Sequence, residues 1–255
     1  MTRDDVRANL ASWEAESEAY QERGREVLND WSTFGWGIWQ TPESEVHALG
    51  DVAGVDALEL GCGAAQFGIR VARASARVVG VDISANQLAA AAPNMDTTGI
   101  RFPLVRGNVE ELPFADASFD LVFCDHGAVT FTDPAITVPE VARVLRPDGR
   151  FVFNMSTPFI WATWPMIEGP PGRELLRPYF ANRRMVWDPS DPGPEFQLPY
   201  GEWIALFREK GLVIDALIEL RPREGATSPH GDYVTFDWAR HFPAEHIWKV
   251  RKERS

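Results

Sequence analysis

Cysteines, long apolar runs and targeting signals are scarce in this sequence. Its two cysteines, Cys62 and Cys124, belong to no C-x-x-C pair, which argues against a disulfide framework and favours two small buried residues. No apolar run approaches the ~20 residues that span a bilayer, and the stretch from Met1 to Leu10 is charged rather than signal-like. We therefore expect a soluble, cytoplasmic protein without a membrane partner.

Basic side chains are outnumbered, with 25 Lys and Arg against 37 Asp and Glu and a formal net charge of −12. This balance disfavours binding to a phosphate backbone, although Arg183 and Arg184 form a local basic pair. The histidines His230, His241 and His246 show no metal-ligand spacing. We predict neither a nucleic-acid partner nor a metal site.

The length of 255 residues, with 45% hydrophobic residues, is sufficient for one large domain with a sizeable core. We divide this single domain, residues 1–255, into four parts. These are a helical lid (1–50), a cofactor-binding half (51–155), an inserted cap (156–204) and the C-terminal part of the sheet (205–255).

The stretch from Val55 to Ser84 organises the chain. An apolar run ends in Gly61-Cys62-Gly63, a helix can follow from Gln66, and a second apolar run, Val78 to Val81, ends in Asp82. Glycines at the end of a strand let the backbone turn sharply and approach a ligand, and an acid at the end of the next strand can accept hydrogen bonds from ribose hydroxyls. This order of strand, glycine turn, helix, strand and acid predicts a nucleotide-type site. A dinucleotide fingerprint would require glycine at position 66, where this chain has Gln66.

Residues 59–68 resemble the first motif of class I S-adenosylmethionine-dependent methyltransferases, E/D-x-G-x-G-x-G, with Ala65 in place of the third glycine. The resemblance extends from Ala57 to Asn154. It implies an α/β, Rossmann-like three-layer sandwich whose seven-stranded, mostly parallel sheet has an antiparallel last strand. It also implies S-adenosylmethionine as cofactor and a methyltransferase activity.

Specific roles follow from the same resemblance. It implies that Asp82 binds the ribose, that Ile83 flanks the adenine, and that the Asn108 side chain and the backbone after it contact the base. An Asx turn is the other interpretation of Asn108. The full set of candidate cofactor residues in the core of the domain is Glu59, Gly61, Cys62, Gly63, Gln66, Asp82, Ile83, Gln87, Asn108, Val109, Glu110 and Asp125.

His126 is the candidate catalytic residue. It follows Asp125 at the end of a buried strand, and ligands bind at the carboxyl ends of strands in open α/β sheets. Imidazole titrates near neutrality and could remove a proton from a hydroxyl group. The alternative is that His126 merely orders its loop.

The lid and the cap are rich in aromatic residues. Between Trp31 and Trp39 these residues alternate with glycines, so Trp36 and Trp39 are candidates to stack on the cofactor, with core packing as the alternative. We expect a helix break at Gly24 and an end of the helix from Ala85 at Pro93. The cap from residue 156 could cover the substrate or only shield the sheet edge.

These features predict transfer of a methyl group from S-adenosylmethionine to a small, aromatic or apolar acceptor, with oxygen favoured over nitrogen or carbon. One alternative is a catalytically silent, methyltransferase-like binding protein. Another is a nicotinamide-dependent oxidoreductase, which Gln66 disfavours. The protein is expected to be a monomer or a homodimer.

Overall fold

The apolar runs of the sequence form the strands of one mixed sheet. The structure is a computed structural model that describes residues 3–165, 169–181, 183–188, 190, 193–228, 230 and 233–254. Within these ranges the sheet consists of β1 (Asp56–Leu60), β2 (Arg77–Asp82), β3 (Leu104–Arg106), β4 (Phe119–Asp125), β5 (Leu145–Ser156), β6 (Leu212–Glu219) and β7 (Glu245–Lys252). Its order is β6-β7-β5-β4-β1-β2-β3. Strands β1 to β5 pair in parallel, and β7 is antiparallel to both of its neighbours, which confirms the predicted topology.

Helices and short ribbons connect these strands. The helices of the described residues are α1 (Arg3–Leu28), α2 (Glu43–Val46), α3 (Gln66–Arg73), α4 (Ala85–Thr98), α5 (Ala128–Phe131), α6 (Pro134–Val144), α7 (Pro158–Thr163), α8 (Tyr200–Glu209) and α9 (Phe236–Ala239). A 3₁₀ turn covers Tyr179–Ala181. Antiparallel ribbons join Gly35–Trp36 to Thr41–Pro42 and Arg184–Met185 to Glu195–Phe196.

Helices cover both faces of the sheet. Because successive side chains of a strand point to opposite faces, each strand contributes to two core clusters. On one face Leu58 and Val122 belong to a core cluster with residues of α6 and α8. On the other face Ala57 and Leu121 pack with Phe67 and other residues of α3. The architecture is therefore the predicted sandwich of helices, sheet and helices.

Helix α4 does not end at Pro93, as the sequence predicted, but continues to Thr98. Beyond the proline, Met95 is buried against Ala65 and other apolar residues, and Asn94 Nδ2 donates to Ala64 O at 2.9 Å. These contacts compensate for the one backbone hydrogen bond that proline cannot make. Tertiary packing thus overrides the local preference of proline.

Helix α1 likewise continues through Gly24, where a break was predicted. Its C-terminal end is held by Arg70 of α3, which donates to Leu28 O at 2.9 Å and to the carbonyl oxygens of Asp30 and Thr33 just beyond the helix. Near its middle, Glu14 accepts hydrogen bonds from the first backbone amides of α4, including Ala85 N at 2.8 Å. These bonds place α1 across the carboxyl ends of the parallel strands.

Aromatic contacts organise the segment from residue 156 to residue 204. Trp164 packs against Trp187 and against Tyr233, with ring centroids 5.1 and 4.4 Å apart. The described part of this segment also exposes three apolar side chains, those of Leu175, Leu176 and Phe180. Among the helices in the described ranges, none has the length and apolarity needed to cross a membrane.

Candidate active site

A cavity of about 310 Å³ lies between α1 and the carboxyl ends of the strands. It extends from the glycine turn after β1 to the loop after β4. The predicted site residues that line it are Glu59, Gly61, Cys62, Gly63, Gln66, Asp82, Ile83, Gln87, Asn108, Val109, Asp125 and His126. The structure thus brings together most of the residues that the sequence singled out.

The glycine turn is built by residues with positive φ. Gly61 and Gly63 have φ of 65° and 50°, and a Cβ atom at Gly61 would lie 2.2 Å from Ala128 N. Only glycine fits at position 61 for both reasons. Ala65, the departure from the family motif, also has a positive φ of 63°. Alanine keeps the path of the turn there at a cost of about 1–2 kcal/mol.

Asp82 connects the turn to the next helix. Its carboxylate accepts hydrogen bonds from Gly63 N and from Ser84 N, each at 2.8 Å. Burial raises the pKa of Asp82, and the backbone donors oppose this rise. The side chain is therefore held rigidly at the wall of the cavity.

Glu59 is a buried carboxylate at the base of the same wall. Burial and the nearby charge of Asp82 raise the pKa of Glu59 well above its usual range, while a backbone hydrogen bond from Gly68 opposes this rise. A Cβ atom on Gly68 would lie 2.3 Å from Glu59 Oε2, so the carboxylate packs directly against α3.

Three glutamines connect α1 to the floor of the cavity. Gln66 Nε2 donates to Gln21 Oε1 at 2.6 Å, and Gln21 Nε2 donates to Gln87 Oε1 at 3.0 Å. Sequence reasoning identified Gln66 and Gln87 but missed Gln21, because it lies 45 residues before its partner Gln66. The network holds α1 over the glycine turn.

The loop after β3 places two of its three predicted residues at the cavity. Asn108 and Val109 line it, and Asn108 Oδ1 accepts from Glu110 N at 3.1 Å, which is the Asx turn considered for this position. Glu110 is not among the lining residues, since its carboxylate turns away to accept from Asp133 N at 3.1 Å.

Trp36 and Trp39 do not reach the cavity, which corrects the expectation that their rings stack on the cofactor. Trp36 is fully buried, with its ring 4.6 Å from that of Phe67 and its Nε1 donating to Glu43 Oε2 at 2.7 Å. Trp39 packs in another cluster, against Phe236. The glycines between these aromatic residues allow the backbone, rather than the rings, to face the cavity.

A buried polar cluster closes the far end of the cavity. Gly37 N donates to both carboxylate oxygens of Asp125, at 3.1 and 3.2 Å, and Asn154 Nδ2 donates to Asp125 Oδ1 at 2.8 Å. His126 Nε2 makes a hydrogen bond with Glu245 Oε1. Burial lowers the pKa of His126, but the bond to Glu245 and the nearby carboxylates leave it raised overall.

In the described parts of the chain, no group of three or more His, Cys, Asp or Glu residues has a metal-binding arrangement.

Aromatic side chains from separate parts of the chain line the space beside this cluster. Trp13 packs edge to face against Tyr20 and Phe131, with centroids 5.5 and 5.1 Å away, and Tyr20 stacks on His230 at 6.4 Å. Tyr233 completes the lining next to His126. Sequence reasoning missed these residues as site residues, although the seven-residue spacing of Trp13 and Tyr20 indicated a shared helix face.

Asp125 gives the protein a testable pH dependence. Burial raises its pKa from 3.8 to about 6. Protonated Asp125 therefore adds stability that is fully present below the ordinary pKa of 3.8 and is lost as the pH rises through the raised pKa of about 6. Above about pH 6, we expect Asp125→Asn to have a larger free energy of unfolding than the wild type. The difference should grow by ~1–3 kcal/mol from about pH 4 to about pH 7 in urea unfolding. A difference that does not depend on pH would contradict the assigned ionisation.

Residues 58–153 match a family model described as "Methyltransferase domain". This range runs from β1 into β5 and contains the glycine turn, Asp82, Asn108 and His126. The match supports the resemblance of this part of the chain to class I S-adenosylmethionine-dependent methyltransferases.

Two curated proteins and one solved structure show where the similarity lies. A 2-phytyl-1,4-naphtoquinone methyltransferase from Trichormus variabilis is 33% identical over 132 residues, 48% of this chain and 56% of that protein. A demethylmenaquinone methyltransferase from Mycolicibacterium paratuberculosis is 38% identical over 112 residues, 44% of this chain and 46% of that one. The chain thus spans about half the length of these curated relatives. The crystal structure of an S-adenosylmethionine-dependent methyltransferase from Mesorhizobium loti shares the fold, with a TM-score of 0.65, 22% identity and coverage of 82% of this chain and 96% of that one.

The residues that line the cavity fit S-adenosylmethionine as a cofactor. The buried carboxylates of Glu59 and Asp82 both line the cavity, and Asp82 Oδ2 lies 2.8 Å from Gly63 N of the glycine turn. These are the features that a ligand with an amino group and a ribose requires.

Proposed function

We propose that this protein transfers the methyl group of S-adenosylmethionine to a hydroxyl oxygen of a small aromatic or apolar acceptor. One observation carries the proposal, namely that the glycine turn with Asp82 and the loop with His126 open into the same cavity. A cofactor bound at the turn and an acceptor bound at His126 would therefore share one cavity.

In this proposal the cofactor occupies the part of the cavity near β1 and β2. Asp82 accepts hydrogen bonds from ribose hydroxyls, Glu59 accepts from the amino group, and Ile83 flanks the adenine. Asn108 and Val109 contact the base. Helix α1 acts as the lid, and Gln21, through Gln66 and Gln87, holds it closed over the bound cofactor.

The acceptor occupies the part lined by aromatic residues. Trp13, Tyr20, Phe131 and Tyr233 supply flat apolar surfaces, which favour an aromatic ring over a small sugar acid. When bound, the cofactor would supply an electrophilic methyl group, and its sulfur would leave with the electron pair of the C–S bond. His126 takes the proton from the acceptor hydroxyl, so that its oxygen is free to form the new bond.

Two further observations support an apolar acceptor. The curated relatives reported above are named for methylation of a phytyl naphthoquinone and of demethylmenaquinone, both apolar ring compounds. The polar cluster at this end contains the carboxylates of Asp125 and Glu245, which would repel an anionic acceptor. The acceptor class is therefore neutral and aromatic.

The test is methyl transfer from labelled S-adenosylmethionine to a panel of phenols, naphthols and hydroquinones, with the corresponding anilines for comparison. We expect O-methylated products from the hydroxyl compounds, together with one S-adenosylhomocysteine for each product. Cofactor binding without transfer to any member would instead support a catalytically silent binding protein. Preference for NADH would support the oxidoreductase alternative, although Gln66 occupies the position where a dinucleotide fingerprint needs glycine.

A further inference from the structure

Glu245 begins β7 and lies beside the ends of β4 and β5. Its side chain is 1% exposed. A carboxylate at this depth is costly unless its charge is compensated. The register of β7 and β5 places Glu245 opposite Ser156, at the edge of the sheet where the cavity opens. The chain therefore holds a buried acid directly behind the proposed base.

Three donors converge on one oxygen of this acid. Ile38 N donates to Glu245 Oε1 at 3.0 Å, Asn154 Nδ2 donates to it at 3.2 Å, and His126 Nε2 is the third partner. The loop before α2 is shaped around the carboxylate, because a Cβ atom on Gly37 would lie 2.3 Å from Oε1. Gly37 also has a φ of 68°, which favours glycine. The geometry around Glu245 is thus fixed from three separate segments.

His126 is held in an unusual backbone conformation. Its φ is 48°, in the left-handed region, which is costly for a residue other than glycine. Its backbone N donates to Asn154 O at 3.1 Å, and its ring contacts Tyr233 edge to face. The backbone and the ring are therefore both constrained, and the constraint on the ring nitrogen comes from Glu245.

Several charged or titratable groups surround this imidazole. Glu245 lies on β7, Asp125 ends β4 and Glu195 belongs to the ribbon of the cap; all three act to raise its pKa. His230 and His246 interact with it as like charges when protonated, and Tyr233 packs on its ring. Glu245 is the carboxylate that is hydrogen-bonded to the ring.

We infer that Glu245 is a positioning residue for the proposed reaction, which orients the imidazole of His126 and fixes its tautomer. The inference rests on the proposed function. With the Nε2 proton donated to Glu245, the Nδ1 atom carries the free electron pair and receives the proton of the acceptor hydroxyl. The resulting imidazolium is stabilised by the adjacent carboxylate, and the proton later leaves to solvent. Glu245 itself touches neither acceptor nor cofactor.

The experiment uses isotope-labelled histidine in the full chain, followed by NMR without any acceptor. His126→Asn assigns the resonance. In the wild type we expect the Nε2-protonated tautomer. In Glu245→Gln we expect a lower titration midpoint for His126 and loss of the fixed tautomer, because a glutamine can donate to the ring. Affinity for S-adenosylhomocysteine should stay within about twofold of wild type, since Glu245 lies outside the proposed cofactor part.

Glu140→Gln is the matched control. It removes a partly buried carboxylate that accepts from Leu112 N at 2.9 Å and pairs with Arg143, away from the cavity. It should leave the His126 titration unchanged. Once an acceptor is known, Glu245→Gln should lower kcat about tenfold or more with little change in KM, and should move the acidic limb of the pH profile to lower pH.

An unchanged midpoint and tautomer in folded Glu245→Gln would overturn the inference. If that variant does not fold, an Nδ1-protonated tautomer in the wild type would overturn it equally. Neither result depends on turnover. Failure of the inference is therefore distinguishable from failure of the proposed function, which would show as a wild type that methylates nothing.

Discussion

His126→Ala should lower kcat for a hydroxyl acceptor by about 10²–10⁴-fold, the usual contribution of a positioned general base. The side chain lines the cavity, makes a hydrogen bond with the buried Glu245, and has a raised pKa because nearby carboxylates outweigh the effect of burial. The base acts in its neutral form, so wild-type kcat/KM should rise with pH through that pKa and the variant should lose this limb. Initial rates across pH measure both effects.

Affinity for S-adenosylhomocysteine provides the internal check on this variant. It should change by less than about twofold, since the proposed cofactor contacts lie elsewhere in the cavity. His241→Ala is the matched control, because His241 is exposed and its ring contacts Asp237 O and Phe242, outside the cavity lining. Wild-type turnover in His126→Ala would remove His126 as the base and leave its loop-ordering role.

Asp82→Ala should weaken binding of S-adenosylhomocysteine by roughly 10- to 100-fold, or about 1–3 kcal/mol, through lost charge-assisted hydrogen bonds. The substitution also removes the acceptors for Gly63 N and Ser84 N, so part of the loss would come from a loosened turn. Asp82→Asn should loosen the turn less than Asp82→Ala, because an amide keeps one of the two acceptor oxygens but lacks the charge. Isothermal calorimetry measures both variants.

Asp116→Ala is the matched control for the loss of an acidic side chain. Asp116 is 77% exposed and pairs with Arg143, remote from the cavity lining. Its removal should leave affinity unchanged. If folded Asp82→Ala bound the ligand as tightly as the wild type, the ribose role of Asp82 would be refuted.

The cofactor half was predictable because its signals are local. Glycines 61 and 63, the helix from Gln66 and the acid at position 82 lie within one βαβ unit, where sequence spacing fixes spatial relations. Even Ala65, the departure from the motif, adopts a positive φ, a conformation that glycine favours. The family match over residues 58–153 covers this part of the chain.

At the far end of the cavity Asp125 and His126 were predicted, but their partners were not, because these contacts are long-range. Glu245 lies 119 residues from His126, and Asn9 reaches Pro194 O across 185 residues. Neither pair has a spacing rule that sequence reasoning could apply. Trp36 was misassigned for a related reason: aromatic residues interleaved with glycine indicate a turn, but not whether the rings or the backbone face the ligand.

Calorimetric titration of cofactor-free protein with S-adenosylhomocysteine tests the central claim most directly. The structure predicts one-to-one binding that is tighter than binding of NADH and that is weakened in Asp82→Ala. An absence of binding by folded, cofactor-free protein, or a preference for NADH, would contradict the assignment of the glycine turn and of the cavity beside it.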